Sequence, residues 1–183
     1  EPDVSKTVLV TGAAGFIGSH TADALLTRGH RVIGLDNFND YYDPARKRAN
    51  VVEVQAHEAG ERFVMVEGDF RDRPFLAKLF DEHKPDAIAH LGAMAGVRAS
   101  MDDPHLYYET NLTGTLNLLD LTRDRGLDNF VLASTSSVYG ATKVSPFIET
   151  DLCDRPLAPY PASKRAAEML GYAYHHLYDV NFT

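Results

Sequence analysis

The sequence predicts an α/β protein in which a parallel sheet is covered by helices on both faces. Apolar runs of β type recur at about 6–11, 31–35, 62–67, 86–91 and 128–134. Helical stretches fall between and after them, at about 16–28, 44–58, 73–83, 104–125 and 161–178. Strict alternation favours parallel strands, because a right-handed crossover places each intervening helix on a face of the sheet. The 183 residues suffice for one well-buried domain, 1–183, and no linker or repeat divides it.

The composition is that of an ordinary globular protein, with 44% apolar and 24% charged residues. The net charge of -8 argues against a nucleic-acid surface, which needs clustered Lys and Arg. The one dense basic run, 46–48, lies beside Asp40 and Asp43 and is interpreted as a solvated helix face. No apolar run approaches the length of a membrane span, and the N-terminal residues lack a signal-peptide pattern. We therefore expect no nucleic-acid partner and no membrane partner.

Cysteine and histidine usage give no sign of a metal site. Cys153 is the single cysteine, so the chain can form neither an internal disulfide nor a thiolate cluster. The eight histidines include no pair with metal-ligand spacing, and His90 is interpreted as a packed polar residue. The expected compartment is the reducing cytoplasm.

Three glycines directly follow the first apolar run and open the first helix, in TVLVTGAAGFIGSH. Gly12, Gly15 and Gly18 permit a tight turn and let backbone N–H groups approach a pyrophosphate at the positive end of the helix. Asp36 ends the second apolar run, where a carboxylate can bond ribose hydroxyls and repel a 2′-phosphate. Strand, glycine turn, helix and spaced acid together predict a doubly wound, three-layer Rossmann domain that prefers NAD to NADP.

Tyr160 and Lys164 lie four residues apart in YPASK, so on a helix they share a face. Pro161 suits the first turn, where no N–H is needed. Tyrosine, with a pKa of about 10, is a poor base at neutral pH. A lysine ammonium, the helix dipole and a nicotinamide cation each favour the phenolate. The two side chains can be exposed residues without a function. Their position after a dinucleotide-binding turn in the same domain instead favours Tyr160 as a catalytic proton acceptor.

The segment ASTSSVYG, residues 133–140, leaves the fifth apolar run at its carboxyl end, where open parallel sheets bind ligands. A hydroxyl there can bond both a sugar hydroxyl and Tyr160. Serine-rich segments are also ordinary turns, so the geometry decides between the two interpretations.

Seven segments in order resemble the extended short-chain dehydrogenase/reductase family: GAAGFIGSH, DNFNDYYDPARKRAN, GDF, HLGAMAGVRAS, YYETNLTGTLNLL, STSSVYG and YPASK. Within it they are most similar to the nucleotide-sugar epimerases, above all to UDP-glucuronate 4-epimerases, over essentially the whole chain. The resemblance implies a tightly held NAD that stores a hydride transiently. It also implies that Tyr160 takes the proton from the sugar 4-hydroxyl, after which the 4-keto sugar turns over and hydride returns to its other face.

The resemblance assigns cofactor contacts along the carboxyl edge of the sheet. Those expected at the pyrophosphate and the adenosine ribose are Gly12, Gly15, Phe16, Ile17, Gly18, Asp36, Asn37 and Phe38. Those expected at the adenine and along the channel to the nicotinamide are Asp69, Phe70, Leu91, Ala93, Ala95, Asn111, Tyr160 and Lys164. Asp69 is expected to bond the adenine amino group, and Lys164 to hold the nicotinamide ribose.

The resemblance also assigns the catalytic and substrate residues. Thr135 matches the catalytic hydroxyl, with Ser136 and Ser137 beside it. The sugar nucleotide is expected to meet Gly96, Val97 and Arg98, although Arg98 is equally a solvated side chain. Dehydratases of the family carry Asp-Glu after the threonine, as acid and base of water elimination. Because two serines stand there, dehydration lacks its groups.

The predicted helices at about 104–125 and 161–178 are each apolar on two sides, which is typical of a helix that is wholly buried or shared with a partner. We favour a homodimer through both, with burial inside one chain as the alternative. Residues 179–183 look like the start of a sixth strand, and the sequence therefore looks like a fragment without its substrate domain. We expect this chain to bind NAD and to turn over little.

The leading function is an NAD-dependent 4-epimerase of UDP-sugars. One alternative is a decarboxylase or reductase acting on the same substrates. The other is a dinucleotide-binding module without turnover.

Overall fold

The structure is a computed structural model that describes residues 5–183. Within them, parallel strands form one five-stranded sheet, ordered β3-β2-β1-β4-β5. The strands are β1 (Thr7–Thr11), β2 (Arg31–Asp36), β3 (Phe63–Glu67), β4 (Ala87–His90) and β5 (Asn129–Leu132). The strand order reverses at β1, between β2 and β4, and ligands of such sheets bind at that point on the carboxyl side.

The helices occupy the predicted places and confirm the doubly wound α/β fold. They are α1 (Phe16–Thr27), α2 (Pro44–Gln55), α3 (Arg73–His83), α4 (Ala99–Asp102), α5 (Pro104–Tyr108), α6 (Gly114–Arg125) and α7 (Pro159–Tyr178). Two short 3-10 helices are also present, at Gly60–Arg62 and Ser136–Tyr139. No helix described between residues 5 and 183 is long and apolar enough to cross a membrane.

The core lies in two layers, one on each face of the sheet. Val8 and Val10 point to the face covered by α1 and α2, whereas Leu9 points to the face covered by α3, α6 and α7. Successive strand residues face opposite sides, so a strand buried on both faces is apolar throughout. Each large apolar side chain fully buried in this way contributes about 1.5–3 kcal/mol. This double burial is why the β-type runs in the sequence are nearly continuous.

The helix predicted at 104–125 is interrupted. Asp103 caps α5 by accepting a hydrogen bond from the Leu106 N–H at 3.1 Å. A π-helical segment, Glu109–Thr113, then separates α5 from α6. Such a segment shifts the helical repeat by one residue and is frequent at functional sites, and it contains Asn111.

The two helices expected to be apolar on two sides differ in the structure. In α6, Leu118, Leu119 and Leu121 are all buried inside the chain, so the burial alternative holds for that helix. In α7, the face with Ala167 is buried, while Met169 and Leu177 are exposed at 63% and 65%. Only α7 therefore keeps a large apolar face in this structure.

The last residues extend the sheet beyond β5. Phe182 forms a single parallel bridge with Phe130, and the Leu132 N–H donates to the Thr183 carbonyl at 2.8 Å. The predicted sixth-strand position is therefore occupied, at the free edge of β5.

Candidate functional site

A groove of about 580 Å³ runs along the carboxyl edge of the sheet, across the reversal point at β1. Its volume is typical of a small-molecule or cofactor site. The predicted residues that line it are Gly12, Gly15, Phe16, Ile17, Gly18, Asp36, Asn37, Asp69, Phe70, Leu91, Ala93 and Ala95. The other lining residues are Asn39, Tyr41, Tyr42, Arg46, Lys47, Asn50, Gly68, Gly92, Met94, Thr110 and Ala133.

The glycine turn at one end of the groove is packed backbone against backbone. Gly12 has φ +67°, and a Cβ added there would lie 2.8 Å from the Gly92 Cα. A Cβ on Gly18 would overlap the Gly12 carbonyl oxygen. The Gly12 N–H donates to the Leu35 carbonyl at 2.8 Å, which ties the turn to β2. These contacts leave no space for side chains, so a ligand can approach the backbone directly.

Helix α1 opens from this turn with its N-terminal N–H groups available. Its N-cap, Gly15, provides no side-chain hydrogen bond in the described part of the chain. Phe16 and Ile17 at the first turn are largely exposed. Uncapped N–H groups at the positive end of a twelve-residue helix suit a phosphate.

Asp36 occupies the end of β2 and is almost fully buried. Its Oδ2 accepts a hydrogen bond from the Ala14 N–H at 3.2 Å, and its Oδ1 accepts one from the Phe38 N–H at 2.9 Å. The carboxylate therefore fixes the glycine turn while still lining the groove. Phe38 has φ +50° and a buried side chain, so it supports Asp36 and does not line the groove.

Asp69 and Phe70 lie at the end of β3, where an adenine is expected. The Asp69 carboxylate accepts hydrogen bonds from Arg71 Nη2 at 2.7 Å and Asn37 Nδ2 at 3.2 Å. Burial by itself would raise the pKa of Asp69, but these hydrogen bonds lower it. The Phe70 ring meets the His90 ring edge to face at 5.1 Å.

His90 confirms the interpretation of a packed polar residue. Its Nδ1 lies 2.7 Å from Thr11 Oγ1, and its Nε2 lies 3.0 Å from Thr115 Oγ1. Thr115 donates its own hydroxyl to the Asn111 carbonyl, which assigns the ring proton to Nε2. Complete burial, with Lys164 nearby, lowers the pKa of His90 to about 3, so the ring is neutral.

Asn111 does not line the groove, but its hydrogen bonds hold neighbouring segments in place. Its Oδ1 accepts a hydrogen bond from the Met94 N–H at 2.8 Å, and its Nδ2 donates to Ser163 Oγ at 3.0 Å. Ser163 in turn donates to the Tyr160 carbonyl at 2.8 Å. This buried chain of hydrogen bonds joins the loop after β4 to the first turn of α7.

Tyr160 and Lys164 occupy successive turns at the start of α7. Tyr160 is half-buried, and its ring lies edge to face with the Tyr107 ring at 6.1 Å. Lys164 is only 2% exposed, and its side chain forms no hydrogen bond within residues 5–183. Burial lowers the pKa of Lys164 to about 8, although Glu168 opposes this. Lys164 Nζ is not among the fully buried, unpaired polar atoms of the described residues, so a ligand oxygen can reach this ammonium.

The remaining predicted residues lie outside the lining of the groove. Thr135 caps a 3-10 turn, with its Oγ1 accepting from the Ser137 N–H at 3.2 Å, and Ser136 is exposed. Val97 and Arg98 are exposed. Gly96 has φ +100° and faces the Tyr41 hydroxyl. The groove thus brings together the predicted adenosine and pyrophosphate contacts, while the catalytic and substrate assignments remain predictions.

One interpretation of the sequence is wrong. Lys47, assigned to a solvated face, is only 5% exposed and lines the groove. It shares the helix face of Val51 and Val54, which are buried, and this spacing was the available signal. Asn39, Tyr41 and Tyr42 also line the groove, but this segment carries no periodic pattern that could have predicted it.

No group of three or more His, Cys, Asp or Glu residues that could hold a metal ion is present in the described range 5–183. The glycine turn, the uncapped helix and the buried acid at the end of β2 define the class of the protein as a Rossmann-type dinucleotide-binding fold.

The family follows from comparison with known proteins. A family model described as "GDP-mannose 4,6 dehydratase" matches residues 9–183, and the chain belongs to that family. This confirms the resemblance inferred from the seven sequence segments.

Several curated relatives found in the same comparisons are named as UDP-glucuronate 4-epimerases. UDP-glucuronate 4-epimerase of Thermodesulfobacterium geofontis is 45% identical over 175 residues, which is 96% of this chain and 53% of that protein. UDP-glucuronate 4-epimerase 3 of Arabidopsis thaliana is 44% identical over 177 residues, 96% of this chain and 40% of that protein. The chain therefore spans about half the length of the curated relatives it matches.

The similar solved structures include UDP-sugar 4-epimerases and a dTDP-glucose 4,6-dehydratase from Streptomyces venezuelae, which gives a TM-score of 0.84 at 35% identity over 96% of this chain and 53% of the other. UDP-glucuronic acid 4-epimerase from Bacillus cereus, in complex with UDP-glucuronic acid and NAD, superimposes with a TM-score of 0.85 at 35% identity. That match covers 97% of this chain and 55% of the other. UDP-glucose 4-epimerase from Thermus thermophilus, in complex with NAD, gives a TM-score of 0.83 at 37% identity, with 96% and 53% covered.

Proposed function

We propose that this chain is the NAD-binding part of an epimerase that inverts carbon 4 of UDP-glucuronate. The observation that carries the proposal is the groove at the carboxyl edge of the sheet, which joins a bare glycine turn to a buried carboxylate. The relatives named as UDP-glucuronate 4-epimerases, with the Bacillus cereus complex of NAD and UDP-glucuronic acid, support this choice.

The residues of the groove fit an extended dinucleotide. The glycine turn and the first turn of α1 offer backbone N–H groups to the pyrophosphate. Asp36, at the end of β2, is placed for the adenosine ribose, with Asn37 beside it. Phe70 supplies an apolar wall for the adenine. The hydrogen bonds from Arg71 already occupy much of the Asp69 carboxylate, so an adenine contact there shares that group with Arg71.

NAD, when bound, supplies a reversible hydride acceptor for carbon 4 of the sugar. Tyr160 serves as the proton acceptor for the 4-hydroxyl, from the first turn of α7. Lys164 lies one turn further along, and its ammonium is available to the ribose hydroxyls. Thr135 lies in the segment that follows β5, and its hydroxyl is proposed to contact the sugar. Arg98 is exposed and remains only a candidate contact for substrate anions.

Epimerisation fits the chain better than dehydration, although the matching family model bears a dehydratase name. Ser136 and Ser137 follow Thr135, and neither can act as the carboxylic acid or carboxylate of water elimination. A decarboxylase or reductase would use the same tyrosine and the same cofactor, so the product separates these alternatives.

The test is product analysis on the protein that carries this chain at full length. Incubation with UDP-glucuronate, followed by NMR of the sugar ring, is expected to show the 4-epimer at equilibrium with the substrate and no net consumption of NAD. Release of carbon dioxide or accumulation of a 4-keto product would replace the epimerase assignment with a decarboxylase or reductase. If the protein binds NAD but no reaction is detected, the alternative of a dinucleotide-binding module without turnover is favoured.

We propose that the homodimer forms through α7 alone. Met169, Tyr172 and Leu177 give this helix an exposed apolar face, whereas the apolar strips of α6 are buried within the chain. Sedimentation equilibrium is expected to report a dimer that Met169→Lys weakens, and a concentration-independent monomer would contradict it. A cytoplasmic location remains the expectation from composition.

A further inference from the structure

Among residues 5–183, Lys47 is the one cation that lies buried beside the carboxylate at the end of β2. Its Nζ lies 3.6 Å from Asp36 Oδ1, and both side chains are less than a tenth exposed. The same Nζ donates to Asn39 Oδ1 at 2.9 Å and lies 4.9 Å above the centre of the Tyr42 ring. Three partners therefore fix the position of this ammonium at the wall of the groove.

Helix α2 explains why a lysine can reach this place. Asp43 caps the helix by accepting from the Ala45 N–H at 2.9 Å, and Lys47 lies in the first turn. Side chains on a helix lean toward its N-terminus, which here directs Lys47 toward the end of β2. Asn50, one turn further along, donates to the Ala14 carbonyl at 2.9 Å. The same face of α2 thus supports both Asp36 and the glycine turn.

The other cations near the adenosine end are placed differently. Arg48 lies over the Phe38 ring and pairs at 3.5 Å with Glu67, where both side chains are mostly exposed. Arg71 forms an ion pair with Asp69. Arg46 lines the groove. Lys47 is the cation in contact with Asp36, the residue expected to read the ribose.

We propose that Lys47 is a specificity-determining residue for the cofactor. Paired with Asp36, it holds that carboxylate in place for the 2′- and 3′-hydroxyls of the adenosine ribose. When the Asp36 carboxylate is removed by substitution, the Lys47 ammonium becomes the partner for a 2′-phosphate. This inference rests on the proposed use of NAD and assigns Lys47 a role that acts partly through Asp36.

The physical reason is the balance of charge in a buried place. With Asp36 present, the ammonium is matched by a carboxylate, and a 2′-phosphate would add a second anion next to the first. With serine at position 36, the ammonium keeps its hydrogen bond to Asn39 but loses its counter-charge. An uncompensated charge away from water strongly favours a new partner of opposite sign, and phosphate is such a partner.

The test compares the dissociation constants of NADP and NAD, measured by calorimetry on nucleotide-stripped protein. We expect the wild type to prefer NAD, and Asp36→Ser to lower the NADP-to-NAD ratio of dissociation constants by at least about tenfold, equivalent to about 1.4 kcal/mol. In the Asp36→Ser background, Lys47→Gln should reverse that change, whereas Lys47→Arg should retain it. Glutamine can keep the hydrogen bond to Asn39, so it separates charge from structural support.

Lys78→Met, at an exposed position of α3, is the matched control and should leave the ratio unchanged in the same background. Equal ratios for Asp36→Ser with and without Lys47→Gln would overturn the role of Lys47 while leaving NAD binding intact. A wild-type protein that binds neither nucleotide would instead overturn the proposed cofactor, and this inference with it. Circular dichroism of each variant verifies that the compared proteins are folded.

Discussion

The two ends of the site differ in how completely the chain assembles them. At the adenosine end, backbone contacts and a buried ion pair fix the glycine turn and Asp36. At the end proposed for catalysis, Lys164 is buried, and Tyr160 and Thr135 lie outside the lining of the groove. The difference indicates that the described residues assemble the adenosine and pyrophosphate end by themselves, whereas the groups proposed for catalysis lie outside the groove.

The largest expected effect is at the catalytic end. Tyr160→Phe removes the proton acceptor and should lower turnover of the full-length protein by about 10²–10⁴-fold, measured as the initial rate of epimerisation. NAD binding should remain, because the cradle lies at the other end. Tyr108→Phe, at an exposed position of α5, is the matched control. A wild-type rate from Tyr160→Phe would exclude this tyrosine as the base.

The next effect is at the adenosine end. Gly18→Ala places a methyl group against the Gly12 carbonyl oxygen, and overpacking of this kind costs about 1–3 kcal/mol. We expect NAD affinity to fall by about tenfold to a hundredfold, read by calorimetry. Lys78→Ala, at an exposed position of α3 away from the groove, is the control. Unchanged affinity in Gly18→Ala would mean that the turn is not a tight cradle.

The smallest effect is a pH dependence from Lys164. Burial lowers its pKa to about 8, whereas a lysine in the unfolded chain titrates at about 10.4. Between these values the unfolded chain holds a proton that the folded chain has released, so this residue makes stability rise with pH. Below about pH 8 both states are charged, and the folded state carries the full desolvation penalty.

The free energy of unfolding, measured with urea, should therefore rise between about pH 7.5 and 9.5. This rise should be larger for the wild type than for Lys164→Met, by about 1–2 kcal/mol. Saturation with NAD should shrink that excess, because ligand hydroxyls would stabilise the ammonium. Identical pH dependence in the two proteins would show that Lys164 is not buried as described.

The sequence predicted the sheet and the cradle because both depend on local patterns. Apolar β-type runs identify strands that are covered on both faces, and the glycine spacing identifies a turn where Cβ atoms would collide with backbone. The acid at Asp36 could be placed because it ends a strand. These features need only neighbouring residues to be recognised.

The rest of the site depends on contacts between distant segments. Lys47 is buried because α2 packs on α1 and β3, a tertiary arrangement that the residue's charge could not indicate. The π-helical segment at Glu109–Thr113 has no periodic signal, and its hydrogen bonds to Met94 and Ser163 connect loops far apart in sequence. Tertiary packing overrode residue type at these places.

The most direct test of the central claim, that the groove is a preformed cradle for NAD, is a calorimetric titration of the nucleotide-stripped chain with NAD. We predict saturable one-to-one binding that ADP-ribose reproduces in large part, because the contacts formed by the chain lie at the adenosine and pyrophosphate end. Absence of any binding heat over a range of temperatures, together with no competition by ADP-ribose against a fluorescent adenine nucleotide, would contradict the claim.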